Sequence, residues 1–429
     1  MKDLETSGQL LKLLEEGVSS FHTIQASVKR LAQSGVQRLH LRDKWELCRG
    51  GKYYVVYHGT TLFAFTVAEE FVAEDGFRMA AAHGDFPGFR IKPSPDMHDG
   101  GYMMVNTETY GGANLASWLD RPLSVAGRVI LKSENLFSPK ECFVDFKKPI
   151  LTIPNVAIHM NRELNKGVEL NKQTHMLPLA GIMEEGSSFM EVLAEKAGVS
   201  KEEILDYELN VYNTDPGALV GVKEEFISAP RLDNLTSVHA ILTGLTEGKR
   251  THGINMGIVF DHEEIGSRTK QGAGSTLLTV VLEKIYDAFG YTSLEMQSAV
   301  EDSLLMSVDV AHGYHPSYKE KYDPTNHCVL NQGICIKEAS TQSYATDSEA
   351  IAIVMQICEK EGIVFQKAVN RSDIPGGGTL GSIASSMLPV RTVDMGVPLL
   401  SMHSAREMMG AKDQEELVRY LRAYFSIEA

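Results

Sequence analysis

The sequence predicts an α/β protein, a sandwich of helices around a mostly parallel sheet, interrupted by a β-rich inserted domain. Three observations carry this reading. Beyond Pro230, apolar strand-like runs alternate with amphipathic stretches of helical length. Between about Ile91 and Ser228 the texture changes to short β-rich pieces separated by Gly, Pro and Asn. The 429 residues exceed one ordinary compact domain, and 43% apolar residues suffice for a large core. The expected division is residues 1–90 with 229–429 as one unit, and 91–228 as the insertion.

The elements follow in order. Leu10, Leu11, Leu14, Phe21, Ile24, Val28 and Leu31 recur at helical spacing until Gly35 stops them. Lys52–His58 and Thr61–Val67 read as strands of a hairpin turning at Gly59-Thr60, and the apolar run Phe77–Ala82 ends at His83. Within the insertion, strands are expected at Val125–Leu131, Ile150–His159 and Leu205–Tyr212, with a helix near Phe189–Ala197. Past Pro230, strands are expected at Met256–Phe260, Leu304–Val308 and Ile363–Ala368. Helices are expected at Ser275–Ala288, Ser348–Glu361 and Gln414–Phe425. No internal repeat or low-complexity tract interrupts this pattern.

Composition narrows the function classes. A formal charge of −15 without any Lys/Arg cluster argues against nucleic-acid binding, because phosphate contacts need a basic face. No run approaches the roughly 18 apolar residues of a membrane span, and mean hydropathy is −0.13. Met1-Lys2-Asp3-Leu4-Glu5 lacks the basic-then-apolar layout of a secretory signal, so a cytoplasmic protein is expected. The five cysteines are odd in number and never spaced C-x-x-C, which fits reduced thiols in packing roles.

In such sheets ligands gather at the carboxyl ends of strands, and most of the polar residues of interest sit there. Ala81-Ala82-His83-Gly84-Asp85 puts an imidazole at a strand end and a carboxylate two residues on, able to orient it. In Arg231-Leu232-Asp233-Asn234, the aspartate has two oxygens and can bridge two cations, although Asp-Asn before a helix is commonly a cap. Phe260-Asp261-His262-Glu263-Glu264 carries adjacent glutamates; on an irregular turn one can ligate while its neighbour stays free as a base. Ser307-Val308-Asp309-Val310-Ala311-His312 ends an apolar strand with an aspartate, which is expensive unless paired or coordinated. Leu400-Ser401-Met402-His403 closes the series. Each segment alone has an ordinary reading. Their order (His, Asp, Glu-Glu, Asp, His) within one α/β unit supplies the mixed O/N donors that zinc takes, plus one base. Two such ions about 3.5–4 Å apart form the clamp used in peptide-bond hydrolysis.

From Phe21 to Phe425 the chain resembles the aspartyl aminopeptidase family of dinuclear zinc metallopeptidases. The matching stretches include Gly50-Gly51-Lys52-Tyr53-Tyr54, His83 with Asp85, Trp118-Leu119-Asp120-Arg121 and Arg231-Leu232-Asp233-Asn234. Glu263-Glu264-Ile265-Gly266-Ser267, Asp309-Val310-Ala311-His312 and Met402-His403-Ser404 complete them. The resemblance implies two zinc ions per subunit, with Co2+ or Mn2+ as substitutes. His83, Asp233 and Asp309 would hold one; Asp233, Glu264 and His403 the other. Glu263 would be the general base and Asp85 the support of His83. It further implies peptide substrates, a dimerisation domain at the insertion, and dimers building a tetrahedral dodecamer. There His159 reaches a neighbouring subunit's site. Lys337, with Tyr344 nearby, would meet an acidic substrate side chain. Gly84, Phe86 and the loop Gly376-Gly377-Gly378-Thr379 depart from the family pattern, which leaves open a preference for neutral residues such as Leu. An amidohydrolase or deacylase on the same dinuclear scaffold is the alternative activity.

Overall fold

The computed structural model describes residues 2–184, 186–374 and 376–428. Its centre is a nine-stranded mixed sheet. In order across it run Gln37–Leu39, Lys52–Tyr57, Thr61–Val67, Ile254–Phe260, Phe77–His83, Leu304–Val308, Arg391–Gly396, Ile334–Glu338 and Phe365–Val369. The four strands from Ile254–Phe260 to Arg391–Gly396 are parallel neighbours. Ile254–Phe260 and Leu304–Val308 are buried at every residue, as expected when helices cover both faces of a sheet.

Alternation along the strands sends side chains to two cores. Ala80 and Ala82 join Leu10, Val238, Ile351 and Leu417 on one face. Phe77, Met79 and Ala81 join Leu278, Val281, Met296 and Leu380 on the other. The helix Leu232–Glu247 is buried from Leu232 through Leu245, and its buried Thr236 and Thr243 hydroxyls donate back to the carbonyls of Leu232 and His239. At Gly244 a Cβ would come within 2.8 Å of the Leu421 main chain, so this glycine lets the helix Ala411–Tyr424 pack closely.

Residues 88–213 supply a separate antiparallel sheet of Lys140–Asp145, Leu123–Leu131, Ile204–Asn213, Gly88–Asp99, Tyr102–Tyr110 and Leu179–Ile182. Phe89, Trp118, Val125 and Leu209 form its core with Phe189 and Leu193 of the helix Phe189–Ala197. A third, five-stranded sheet joins Ala218–Val220, Phe226–Ala229, Glu407–Gly410, Pro398–Leu400 and Ala311–His312. Among the described residues no helix is long and apolar enough to cross a membrane.

Several elements differ from the sequence reading. The N-terminal helical stretch is two helices, Lys2–Glu16 and Ser20–Gln33, because Gly17 interrupts it and the Ser19 hydroxyl caps the second by accepting from the His22 N–H. The expected strand Ile150–His159 reduces to single bridges at Leu151 and Thr152. Pro154 has no N–H to give a ladder, and Asn155 turns the chain: its N–H donates to Asp120 and its side chain accepts from Val156. The strand expected from Ile363 starts at Phe365, because the helix Ser348–Glu361 ends in a left-handed cap at Gly362. The hairpin Gly88–Asp99/Tyr102–Tyr110 and the strands Ile334–Glu338, Arg391–Gly396 and Glu407–Gly410 were not legible as elements.

Candidate metal centre

Parallel pairing brings three sequence segments to one sheet edge. In the strand register Phe260 stands beside His83, and Ser307 stands beside Ala81. The carboxyl ends of three strands therefore present His83, the Glu263-Glu264 turn and Asp309 together. Asp233 enters from the start of the helix Leu232–Glu247, where φ and ψ are not yet helical. His403 sits on the turn after Pro398–Leu400. Arg231, His262, Ser401 and His403 all have φ between 59 and 64°. Such left-handed non-glycine residues concentrate where the surrounding structure fixes a functional geometry.

The donor atoms fall into two groups that share Asp233. His83 Nε2 lies 3.3 Å from Asp233 Oδ1 and 3.6 Å from Asp309 Oδ1. His403 Nε2 lies 3.4 Å from Asp233 Oδ2 and 3.5 Å from Glu264 Oε2. Tetrahedral zinc with ligands about 2.0–2.1 Å away sets its donors roughly 3.3–3.4 Å apart. The spacing therefore fits, with one Asp233 oxygen facing each imidazole. Asp233 Oδ1 is buried and accepts no hydrogen bond from any described residue, as expected of an oxygen built to meet a cation.

The electrostatics point the same way. His83, Asp85, Asp233, Asp309 and Glu407 are all buried. Burial pushes Glu263 up to about 8, with Asp309, Asp85 and Asp233 adding to it against the pull of His83. Burial and the charge of Asp233 raise Glu264 well above the ordinary carboxylate value. Conversely, burial disfavours charged imidazoles, yet the carboxylates around His83 hold its pKa well above normal. For His403, Asp233 does the same, to about 9. Carboxylates that raise histidines against desolvation call for positive charge at this point.

Asp85 does more than support His83. His83 Nδ1 is 3.0 Å from the Asp85 carbonyl oxygen and 3.5 Å from its carboxylate. The same carboxylate accepts from the Glu263 and Glu264 N–H groups and from the Tyr110 hydroxyl. It thus ties the histidine strand to the glutamate turn. The insertion also reaches the centre, since His403 Nδ1 is 3.2 Å from the Gly112 carbonyl oxygen. At Gly112 a Cβ would stand 3.2 Å from that nitrogen.

A cavity of about 440 Å³ opens over these groups, lined also by Lys337, Tyr344, His312 and Gly377–Thr379. Lys337 is buried; its ammonium donates to the Val310 carbonyl, lies 3.9 Å from Asp309 Oδ2 and sits 5.1 Å above the Tyr344 ring. Although burial opposes it, Asp309 holds the Lys337 pKa above the ordinary value. The sequence-derived set His83, Asp85, Asp233, Glu263, Glu264, Asp309, His403, Lys337 and Tyr344 therefore converges. His159 does not: it lies exposed on a turn and is absent from the lining of its own chain's cavity. Sequence reasoning missed Tyr110, Gly112 and Glu407. Glu407 accepts from the N–H groups of both Asp233 and His403.

A buried carboxylate–imidazole centre at a sheet edge, open to a cavity, defines a metal-dependent hydrolase. A family model for the aminopeptidase I zinc metalloprotease, M18, matches residues 13–425, and the chain belongs to that family. Its class of activity is accordingly aminopeptidase hydrolysis of peptides. The probable M18 family aminopeptidase 2 of Clostridium novyi is 41% identical over 429 residues, covering 99% of each chain. A solved Ape4–Nbr1 complex contains a chain 31% identical with a TM-score of 0.94, covering 99% of this chain and 86% of that one. The S. cerevisiae mApe1 dodecamer aligns with a TM-score of 0.84 at 26% identity, covering 98% of this chain and 96% of that one.

Proposed function

We propose that the chain is a cytoplasmic two-zinc aminopeptidase preferring peptides that begin with Asp or Glu. The observation that carries this reading is the division of donors about Asp233, with its two oxygens 3.3 and 3.4 Å from different imidazoles. His83, Asp233 and Asp309 would hold one ion, and Asp233, Glu264 and His403 the other. When bound, the two ions supply Lewis acidity at the scissile carbonyl and lower the pKa of the attacking water toward about 7.

The remaining steps belong to the chain's own groups. Glu263 Oε2, 4.0 Å from His83 Nε2 and facing the cavity, accepts the water's proton and passes it to the leaving amine. Asp85 fixes the glutamate turn through the Glu263 and Glu264 N–H groups. The surrounding carboxylates receive the free α-amine of the substrate, which restricts action to the chain end. Lys337, stacked on Tyr344, meets the acidic side chain. Residues 91–228 serve as the dimerisation domain, and the subunits build a tetrahedral dodecamer, as supported by the likeness to the mApe1 dodecamer. In it the exposed His159 enters a neighbour's site and polarises the scissile carbonyl.

The test is release of the first residue from free peptides beginning with Asp, Glu or Leu, each with and without a chelator and beside N-blocked counterparts. Chelator-sensitive release led by Asp and Glu, with blocked peptides inert, supports the proposal. Leu ahead of both acids removes Lys337 from the role of acid reader. Cleavage of blocked peptides only, by protein carrying two metals, replaces the aminopeptidase reading with a deacylase.

A further inference from the structure

Glu407 stands at the start of the strand Glu407–Gly410, directly after the turn that carries His403. It is 2% exposed. Each of its two oxygens is taken by a main-chain amide: Oε1 accepts from His403 N at 2.8 Å and Oε2 from Asp233 N at 3.0 Å. The first bond closes the turn on which Ser401 and His403 hold φ of 59° and 64°. The second crosses to the irregular start of the helix Leu232–Glu247. A buried carboxylate needs charge-assisted bonds to persist, and Glu407 spends both oxygens on the backbones of the two residues whose side chains meet 3.4 Å apart.

We infer that Glu407 is a positioning residue that sets the distance between the Asp233 carboxylate and the His403 imidazole, and thereby the affinity of the second metal position. This inference rests on the two-metal reading above. The first position keeps His83, held on its strand and by the Asp85 carbonyl, and Asp309, whose N–H donates to the Met395 carbonyl. Neither depends on Glu407, so the first position would feel it only through the shared Asp233. At the second position Glu264 is anchored through the Asp85 carboxylate and the His403 ring is oriented by the Gly112 carbonyl, which leaves Glu407 to tie the His403 main chain to that of Asp233. Glutamine at 407 offers one acceptor oxygen and an NH2 group, so one of the two amides faces a donor instead of an acceptor.

The experiment is Co2+ titration of metal-free wild-type and Glu407→Gln protein, followed by calorimetry and by the visible absorption of each successive equivalent. The variant's second equivalent is expected to bind about 10–100-fold more weakly, the usual effect of losing an orienting partner of a ligand. Its absorption should change more than that of the first equivalent, which keeps His83 and Asp309 but shares Asp233. Unchanged affinity and spectrum for both equivalents overturns the role of Glu407. Uptake of a single equivalent by the wild type overturns the two-metal reading instead. A positioning role also requires the Asp233 and His403 amides of metal-free wild type to exchange slowly, read at single-residue resolution by mass spectrometry. Exchange as fast as in exposed loops overturns the inference even where the variant does not fold.

Discussion

Replacing Glu263 with Gln tests the assignment of the base most directly. The side chain keeps its size and one carbonyl oxygen but no longer accepts a proton. The turn itself should stay in place, because Asp85 holds it through the main-chain N–H groups of Glu263 and Glu264 at 3.1 and 3.2 Å. Neither donor group about Asp233 includes Glu263; its carboxylate comes no closer than 4.0 Å to His83 Nε2. Loss of general-base help lowers turnover by about 10²–10⁴, equivalent to about 3–5 kcal/mol of barrier. Removing a negative charge about 4 Å from a cation weakens that attraction by up to about 4 kcal/mol at an effective dielectric constant near 20. The assay is therefore run with zinc in excess and metal content measured on the same sample. The expected result is a full metal complement, a nearly unchanged KM and kcat reduced by at least a hundredfold. A variant with full zinc and kcat within about tenfold of wild type would refute Glu263 as the base.

Three further outcomes follow from the same geometry. Asp233→Ala removes a carboxylate whose oxygens lie 3.3 and 3.4 Å from the two imidazoles, so elemental analysis should find the protein largely stripped of zinc; a normal metal content would contradict the bridge. Lys337→Met removes the buried ammonium and should lower kcat/KM about 10–100-fold for peptides beginning with Asp or Glu, the worth of one charged hydrogen bond, while sparing Leu. Equal losses on acidic and neutral peptides would assign Lys337 a structural part through Val310 and Asp309. Mixed assemblies of His159→Ala and Glu263→Gln chains should recover activity that neither parent has. No recovery in verified mixed assemblies would remove His159 from the neighbour's site.

The metal centre was more legible than the fold that carries it. His83, Glu263, Glu264 and Asp309 follow apolar strands closely, so polarity where an apolar run stops marks them in the sequence. Asp233 and His403 were found by residue type and order, since one opens a helix and the other rides a turn. Glu407 carried no such mark. It begins a short strand in Arg406-Glu407-Met408-Met409, and its partners are main-chain amides, which any sequence provides. Tyr110 ends a strand of the insertion, and only the folded arrangement brings its hydroxyl to Asp85. The strand expected through His159 failed because apolar periodicity ignored Pro154 and Asn155, whose local chemistry turns the chain.

The centre is assembled from two bodies of structure, which sets where it is vulnerable. The nine-stranded sheet presents His83 and Asp309 at the ends of strands that are both hydrogen-bonded neighbours of the sheet interior. Asp85 attaches Glu264 to the same body through a main-chain bond. The small sheet presents His403 on its own turn, between Pro398–Leu400 and Glu407–Gly410. Both donor groups draw on both bodies: Asp233, common to the two, has its amide bound to Glu407 of the small sheet, and Asp309 lies between Leu304–Val308 and the small-sheet strand Ala311–His312. A displacement of the small sheet would therefore carry His403 directly, on its own turn, and reach Asp233 through the Glu407 bond.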